Sequence, residues 1–257
     1  MRGIRNLIGA LVLGVASLAT VTPARAAGGA IEIPSVGFSF QGIFGTYDRG
    51  SLQRGFQVYK EVCSACHSMR QLSYRNLLEI GLSEAQARAI AASVQVPDGP
   101  NDQGEMFERP GRLSDRFRRP FANDQAARVS NNGALPPDLS VMVKARAAGA
   151  DYIHALLTGY SDPPAGFTLM DGMNYNKYFD GHQIAMPNVL NPDQVEYADG
   201  TSATVDQMAR DAATFLAWAA EPEAEQRRAM GVRIMIFLII LAGLAYGVKR
   251  KVWADAH

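Results

Sequence analysis

Two cysteines and one histidine within a short segment form the pattern with the most specific chemistry in this chain. Cys63, Cys66 and His67 have the spacing C-x-x-C-H, which is the signature of covalent haem c attachment. Residues three apart at the end of a helix lie on one face, so both thiols can reach the vinyl groups of one porphyrin. The histidine that follows is then placed to coordinate the iron from the proximal side. We therefore predict one covalently bound haem c.

Three other uses of a C-x-x-C pair agree less well with the sequence. A thioredoxin-like redox pair requires a strand before the motif, whereas the residues before Cys63 have helical periodicity. A structural zinc site requires four ligands, and the chain contains only these two cysteines. A disulfide between them would leave His67 without a role. Because no cysteine remains for a structural disulfide, we expect the haem to contribute to the core.

The sixth iron ligand decides whether the iron only transfers electrons or also binds small molecules. Met186 lies in an Ile-Ala-Met-Pro segment, where the proline would stiffen the loop that presents the sulfur. A thioether ligand raises the redox potential, but a methionine in an apolar stretch is more often part of a core. His182, in a glycine-flanked loop, is the main alternative, and we expect His154 to be a partly exposed helical side chain. The residues alone leave Met186 and His182 both open.

The two ends of the chain carry apolar segments of different kinds. Residues 1–26 have a basic start, a short apolar run and an A-x-A-like site, which predicts a cleaved signal peptide rather than a permanent anchor. Residues 226–251 contain a run that is apolar on every side, which favours a membrane span over a buried core helix. We expect residues 27–225 in the bacterial periplasm, one span in the inner membrane, and residues 252–257 in the cytoplasm.

Helical patterns dominate the region between the two ends, so we predict a mostly α domain with long loops. Helices are predicted from 51 to 63, 83 to 92 or 94, 138 to 148, 151 to 157 and 204 to 222, two of them opened by capping boxes at Ser83 and Thr204. Residues 36–47 are predicted as an extended surface segment and 96–132 as a loop. A small hairpin at 189–197 is the strongest strand signal.

Charge gives a weaker indication of function. The 25 basic and 25 acidic residues balance, so nothing suggests nucleic-acid binding. Acidic residues between Asp98 and Glu108 could steer a basic protein partner, or they could simply be solvated. Glu221, Glu223 and Glu225 are predicted to form a solvated linker before the membrane helix.

Several segments beyond the haem motif resemble the cytochrome c1 family, the haem c subunit of ubiquinol–cytochrome c oxidoreductase (the cytochrome bc1 complex). The resemblance runs from about Phe38 to Trp253 and implies a cytochrome c-like fold with inserted loops and a C-terminal anchor. This chain lacks the extra cysteine pair that some bacterial relatives have. The most specific matches are R-G-F-Q-V-Y at 54–59, C-S-A-C-H-S-M at 63–69, N-N-G-A-L-P-P-D-L-S at 131–140, residues 152–160, I-A-M-P at 184–187, E-Y-A-D-G at 196–200 and F-L-A-W-A-A-E-P at 215–222.

The resemblance implies roles for individual residues. It makes Met186 the distal iron ligand opposite His67, and it places Pro137 against the haem. It also brings Arg146 and Tyr152 to the haem propionates. A guanidinium beside a propionate is physically reasonable because an unpaired buried carboxylate is costly. Without the resemblance, Arg146 would be interpreted as part of a solvated helix face.

The resemblance further implies an electron relay within a dimeric complex. Ubiquinol is oxidised in the cytochrome b subunit, the Rieske iron–sulfur protein delivers one electron to this haem, and a soluble or membrane-tethered cytochrome c removes it. One alternative is a free-standing membrane-anchored cytochrome c, which would share the haem and anchor but not the segments at 131–140 and 215–222. Another is a haem enzyme with an open sixth site, such as a peroxidase.

Overall fold

The computed structural model describes residues 31–254, so the predicted signal peptide and the last three residues of the predicted tail lie outside the described range. Within that range the chain is mostly helical, as predicted, with two short two-stranded sheets. The helices are α1 (Arg49–Glu61), α2 (Glu84–Ala92), α3 (Asp124–Ser130), α4 (Gly149–Thr158), α5 (Val205–Ala220) and α6 (Ala224–Val252).

Helix α1 leads directly into the haem motif. Its N-cap is Asp48, whose side chain accepts a hydrogen bond from the Ser51 amide at 2.7 Å, so the prediction of Ser51 as the cap is wrong by three residues. Aspartate is as favourable an N-cap residue as serine, and the helix begins one turn earlier than its apolar pattern indicated. The helix ends at Glu61, and Cys63 begins a separate 3₁₀ turn rather than closing the helix.

Helices α1 and α5 pack against each other closely. At Gly55 the two backbones approach so nearly that a Cβ atom would overlap the main-chain carbonyl of Asp211. One residue earlier, Arg54 makes two hydrogen bonds to the fully buried Asp211 carboxylate, at 2.8 and 3.2 Å. A third bond, of 2.6 Å, joins Arg54 to Asp199. The buried charge is therefore paired, and the helix that presents the haem motif is fixed to α5.

The two predicted capping boxes have different outcomes. At the start of α2, Ser83 accepts from the Gln86 amide and the Gln86 side chain accepts from the Ser83 amide, so this box is confirmed. At the start of α5, Thr204 accepts from the Gln207 amide at 3.1 Å, which confirms the cap. The Gln207 side chain, however, donates to the buried Asp211 carboxylate at 3.0 Å instead of returning to Thr204.

The predicted helix from 138 to 148 is wrong. Only a 3₁₀ turn, Met142–Ala145, forms in this stretch. Asp138 does not cap a helix because its carboxylate binds groups around the haem motif, as described below. Gly149 has a φ of +57° and begins α4 rather than ending the preceding segment. The short helix predicted from 151 to 157 is confirmed as part of α4.

The strands lie in segments where no strand was predicted. Strands β1 (Gln95–Asp98) and β2 (Phe107–Pro110) form an antiparallel hairpin within the stretch predicted as a loop, which also contains α3. Arg109 bonds to Asp98 and Asp115 there, so part of the acidic charge in this region is neutralised. Strands β3 (Asn174–Tyr175) and β4 (Gln183–Ile184) also pair. Residues 189–197, where a hairpin was predicted, contain no strand.

The segment at 36–47 lies largely on the surface, as predicted, but it also buries three aromatic side chains in the core. Phe38, Phe40 and Tyr47 are buried. The ring centroid of Phe40 lies 5.0 Å from that of Phe38 and 5.1 Å from that of Tyr47. The Tyr47 hydroxyl donates to the Ala217 carbonyl at 3.2 Å, so the segment packs against the end of α5. Aromatic side chains of this size bury enough apolar area to hold an irregular segment against a core.

Helix α6 has its apolar residues exposed. It has 29 residues and is therefore about 44 Å long, more than the roughly 30 Å hydrocarbon core of a bilayer. Among residues 31–254 it is the one helix long and apolar enough to cross a membrane. The predicted solvated linker before it is wrong in part, because Glu221 pairs with Lys144 at 2.6 Å and Glu225 with Arg49 at 2.7 Å.

Replacing Gly55 by alanine tests the close approach of α1 and α5. The added Cβ would overlap the Asp211 carbonyl and the Cβ atom of Phe215, so we expect G55A to lose about 1–3 kcal/mol of unfolding free energy through overpacking. The measurement is denaturant unfolding of the haem-loaded chain in detergent.

The matched control is G50A on the same helix. A Cβ at Gly50 would meet only the ends of the flexible Arg54 and Asp48 side chains, at 3.3 Å. Since alanine stabilises a helix relative to glycine by roughly 0.5–1 kcal/mol, we expect G50A to be neutral or slightly stabilising. Equal stability of G55A and G50A would contradict the close packing.

Candidate functional site

The 3₁₀ turn after α1 brings the three residues of the haem motif around one carbonyl group. The amides of Cys66 and His67 both donate to the Cys63 carbonyl, at 3.1 and 2.9 Å. The Cys63 side chain is partly buried, and that of Cys66 is exposed. Burial raises the pKa of the Cys63 thiol to about 12. The two thiols are not joined in a disulfide, so both are available for thioether bonds to one haem.

The His67 ring is oriented by a hydrogen bond to the main chain. Its Nδ1 atom lies 2.8 Å from the Pro137 carbonyl oxygen. Because a carbonyl can only accept, Nδ1 carries the proton and Nε2 keeps its lone pair. Burial lowers the pKa of His67, while the Pro137 bond and the nearby Asp138 oppose that shift. A neutral imidazole with a free Nε2 is the form that ligates iron, so this donor set fits a haem c.

Asp138 fixes the loop that carries the Pro137 carbonyl. Its Oδ2 atom accepts from the Ser68 hydroxyl at 2.7 Å and from the Arg70 amide at 2.9 Å, and its Oδ1 atom accepts from the Ser140 amide at 3.0 Å. Burial alone would raise the pKa of Asp138, but these hydrogen bonds outweigh burial and hold it below its usual value. The loop is thus bonded to the residues directly after the haem motif.

Tyr59 also holds the main chain of the haem motif. Its hydroxyl donates to the His67 carbonyl at 3.2 Å, and its ring packs about 6 Å from those of Phe117 and Phe215. Burial raises the pKa of Tyr59, so the hydroxyl stays a proton donor. This role was not predicted, although Tyr59 belongs to the R-G-F-Q-V-Y segment and precedes the motif by one helical turn.

Met186 lies in the loop after β4, and its main chain is held by a second tyrosine. The Tyr160 hydroxyl donates to the Met186 carbonyl at 3.0 Å. Tyr160 also pairs with Asn176 in an isolated antiparallel bridge, which connects the end of α4 to the β3–β4 region. Burial raises the pKa of Tyr160, and the neighbouring Tyr152 raises it further. Sequence analysis missed Tyr160 as an individual contact.

Arg146 and Tyr152 lie together. The guanidinium carbon of Arg146 is 5.6 Å from the centroid of the Tyr152 ring, and the Arg146 side chain is exposed. Tyr160 and Met186 form a separate pair through their hydrogen bond. The other predicted residues, Cys63, Cys66, His67 and Pro137, form a group around the haem motif. Cys63 and Tyr152 each pack against the same large buried cluster.

The two other candidate histidines have partners of their own. His154 is only 8% exposed, and its Nε2 atom lies 2.9 Å from Asp206 at the start of α5, so the prediction of a partly exposed side chain is wrong. His182 has a left-handed backbone (φ +58°), and its Nδ1 atom is 3.3 Å from the Asn176 carbonyl. Its ring stacks on Tyr175 at 5.7 Å. These contacts give His182 a role in holding the β3–β4 loop.

Comparisons with known proteins cover the whole candidate site. The sequence profile described as "Cytochrome C1 family" matches residues 38–256. An Arabidopsis thaliana relative named "Cytochrome c1 1, heme protein, mitochondrial" is 52% identical over 245 residues, which are 95% of this chain and 80% of the relative.

Two further relatives extend this likeness. A Saccharomyces cerevisiae relative named "Cytochrome c1, heme protein, mitochondrial" is 49% identical over 225 residues, or 87% of this chain and 73% of the relative. A Bradyrhizobium diazoefficiens relative named "Cytochrome b/c1" is 47% identical over 272 residues, which cover 97% of this chain and 40% of the relative. The range matched by the family profile contains every predicted site residue from Cys63 to Met186.

Replacing Asp138 by asparagine tests whether its carboxylate fixes the Pro137 loop. Loss of charge-assisted hydrogen bonds in a partly buried position is expected to cost about 1–3 kcal/mol of unfolding free energy at pH 7. Because the folded-state pKa lies below the unfolded value of about 3.9, this stabilisation is complete above that value and is lost as pH falls through the folded-state pKa. The stability difference between the two proteins should therefore shrink below about pH 4.

Denaturant unfolding of both haem-loaded proteins at neutral and acidic pH measures this difference. D171N, at an exposed carboxylate, is the control and should unfold like the unmodified chain at both pH values. A D138N protein as stable as D171N at pH 7 would show that the carboxylate does not hold the loop.

Proposed function

We propose, since the chain belongs to the cytochrome c1 family, that it is the haem c electron-transfer subunit of a quinol–cytochrome c reductase. Haem c is the cofactor of this family, and when bound it supplies an iron that takes up and releases one electron at a time. The observation that carries the proposal is the C-x-x-C-H turn with the His67 Nδ1 atom bonded to the Pro137 carbonyl. The subunit performs no bond chemistry on a substrate.

In this proposal the residues of the turn hold the haem. Cys63 and Cys66 supply the two thioether sulfurs, and His67 supplies the proximal nitrogen. Pro137 packs near the haem while its carbonyl fixes the imidazole orientation. A hydrogen bond of this kind also makes the ring a better electron donor to the iron, so it helps to set the redox potential.

We assign the distal ligand to Met186. The support is its partly buried position, the Tyr160 bond that holds its main chain, and Pro187, which stiffens the loop after it. His154 is occupied by Asp206, which leaves His182 as the rival. A protein ligand at the sixth position would exclude oxygen and peroxide, so that only electrons are exchanged.

Arg146 and Tyr152 are proposed to approach the haem propionates. Their stacked arrangement supports this role, because the aromatic ring limits the positions open to the guanidinium. An arginine keeps its positive charge at any physiological pH and can make two parallel hydrogen bonds to one carboxylate. The pair would thereby lower the cost of burying propionate charge.

The proposed partners follow from the family. The chain would accept electrons from the Rieske iron–sulfur protein and pass them to a soluble or membrane-tethered cytochrome c, while quinol is oxidised in a cytochrome b subunit of the same dimeric complex. The relative named "Cytochrome b/c1" supports the association with cytochrome b, because its name joins the two and it is much longer than this chain.

The proposed location is the bacterial inner membrane. Residues 1–26 would export the chain, residues 27–225 would lie in the periplasm, α6 would span the bilayer within residues 226–251, and residues 252–257 would remain in the cytoplasm. The length and exposed apolar surface of α6 support the span. Lys249, Arg250 and Lys251 at its end are nearly matched by Arg227, Arg228 and Arg233 near its start, so the proposed orientation rests on the export signal rather than on flanking charge.

Purification of the chain from its own membranes tests the function as a whole. We expect a covalent haem by pyridine haemochrome analysis, a c-type reduced-minus-oxidised spectrum, and a cytochrome b that copurifies. A haem c protein without cytochrome b would favour the free-standing membrane cytochrome. Mass spectrometry that finds two unmodified thiols would refute haem attachment and the proposal with it.

Replacing Met186 by leucine tests the distal ligand. Leucine has a similar volume but no donor atom, so we expect a lower potential, by a sizeable part of the roughly 0.8 V that axial ligands span, and carbon monoxide binding by the reduced protein. Redox titration and optical spectra provide the two measurements.

Two control variants sharpen this test. H182Q should change neither the potential nor carbon monoxide binding, and the opposite result would transfer the ligand role to His182. Y160F removes only the hydroxyl that holds the Met186 carbonyl, so we expect a smaller drop in potential than in M186L. An unchanged potential in M186L would remove Met186 from the site.

A further inference from the structure

A tight turn at residues 42–45 exposes two large apolar side chains. Ile43 is 71% exposed and Phe44 is 79% exposed. Gly42 has a φ of +79°, which favours glycine, and a Cβ atom at Gly45 would overlap the main chain of Phe40 and Gln41. The turn therefore has a constrained backbone, so the two side chains are held outward.

The base of the turn is anchored in the core. Phe38, Phe40 and Tyr47 flank it on both sides and are buried. The Thr46 amide donates to the Ser39 carbonyl at 3.1 Å, which closes the base. Single exposed apolar residues are common and need no explanation. Two adjacent ones on a turn whose base is anchored in the core are instead typical of a surface that binds a protein or a membrane.

One contact joins this turn to the first turns of α6, and two more join the residues that follow the turn to the same helix. Arg228 donates to the Gly45 carbonyl at 2.6 Å, and the Tyr47 amide donates to Glu225 at 2.6 Å. The same carboxylate pairs with Arg49 at 2.7 Å. The position of the turn relative to the membrane helix is therefore set by direct bonds.

The distance from the turn to the apolar part of α6 is short. Arg228 precedes Val232 by four residues, or about 6 Å along the helix axis. Phe44 is adjacent to Gly45, whose carbonyl Arg228 contacts, and the Cα atoms of these two neighbours are about 3.8 Å apart. The headgroup layer on each side of a bilayer is roughly 5–8 Å thick. The two side chains are thus within reach of this layer when α6 spans the membrane.

The charges around the turn are compatible with a lipid surface. Glu225 is paired with Arg49, and Glu221 is paired with Lys144 at 2.6 Å and with Arg227 at 2.9 Å. These two acidic groups are therefore neutralised where lipid phosphates would repel them. Arg228 binds only a neutral carbonyl at the turn and keeps its positive charge, which can attract phosphate headgroups, and apolar side chains with basic neighbours are typical of interfacial contacts.

We propose that Ile43 and Phe44 insert into the lipid headgroup layer and form a second membrane contact beside α6. The occupant of this surface is the bilayer itself, and the contact sets the orientation of the haem domain against the membrane. This inference rests on the span proposed for α6, and the experiment separates the two.

Site-directed spin labelling of the full, haem-loaded chain in phosphatidylcholine–phosphatidylglycerol liposomes, without partner subunits, tests the contact. The native cysteines are bonded to haem, so a single new cysteine can be labelled in F44C, with I43C as a second variant. V129C is the aqueous control, because Val129 is 85% exposed on α3, and I239C, in the middle of α6, is the bilayer control. Collisions with oxygen, which concentrates in lipid, and with a water-soluble nickel complex are measured by power saturation.

We expect labels at 44 and 239 to gain oxygen collisions and lose nickel collisions relative to the label at 129. A label at 44 that behaves like 129, while 239 behaves as lipid-exposed, would overturn the contact and leave the span intact. Water-like behaviour at both 44 and 239 would overturn the span and the inference together. If the label at 44 loses nickel collisions only in the purified complex, this surface would be assigned to a protein partner and the inference would be overturned.

Discussion

The hydrogen bond from the His67 ring to the Pro137 carbonyl joins the haem motif to the proline loop of the candidate site. It decides which ring nitrogen keeps its lone pair, and it does so through a carbonyl that is itself fixed by Asp138. The Asp138 carboxylate in turn binds the residues that follow the histidine, so the motif and the proline loop hold each other. The interaction is local in space but joins parts of the chain that are 70 residues apart.

The packing of α1 on α5 fixes the helix that precedes this motif. Gly55 lets the two backbones approach, and the Arg54–Asp211 pair supplies a buried polar contact with fixed geometry. A buried ion pair adds little net stability, but removal of one partner is costly, so such pairs fix one arrangement in preference to others. The turn that carries the cysteines therefore starts from a helix whose position is defined.

Sequence alone predicted much of the helical frame, and it marked Cys63, Cys66 and His67 as candidate site residues, but it did not predict the bond from His67 to the Pro137 carbonyl. The capping residues Ser83 and Thr204 marked helix starts correctly because an N-cap hydrogen bond is a local interaction. Asp138 was misjudged because its carboxylate binds across a long sequence separation, and Phe38 and Phe40 were placed on the surface because no periodicity marks them as buried. The tyrosine contacts to the His67 and Met186 carbonyls depend on tertiary packing and have no local signal.

The unequal surroundings of the two cysteines have a consequence for the two sulfurs that would hold the cofactor. Cys63 packs against both hydrophobic clusters of the domain, whereas Cys66 faces outward. A thioether bond at Cys63 would therefore lie in apolar surroundings, whereas one at Cys66 would lie near solvent. Oxidants dissolved in water would reach the Cys66 sulfur more readily than the Cys63 sulfur.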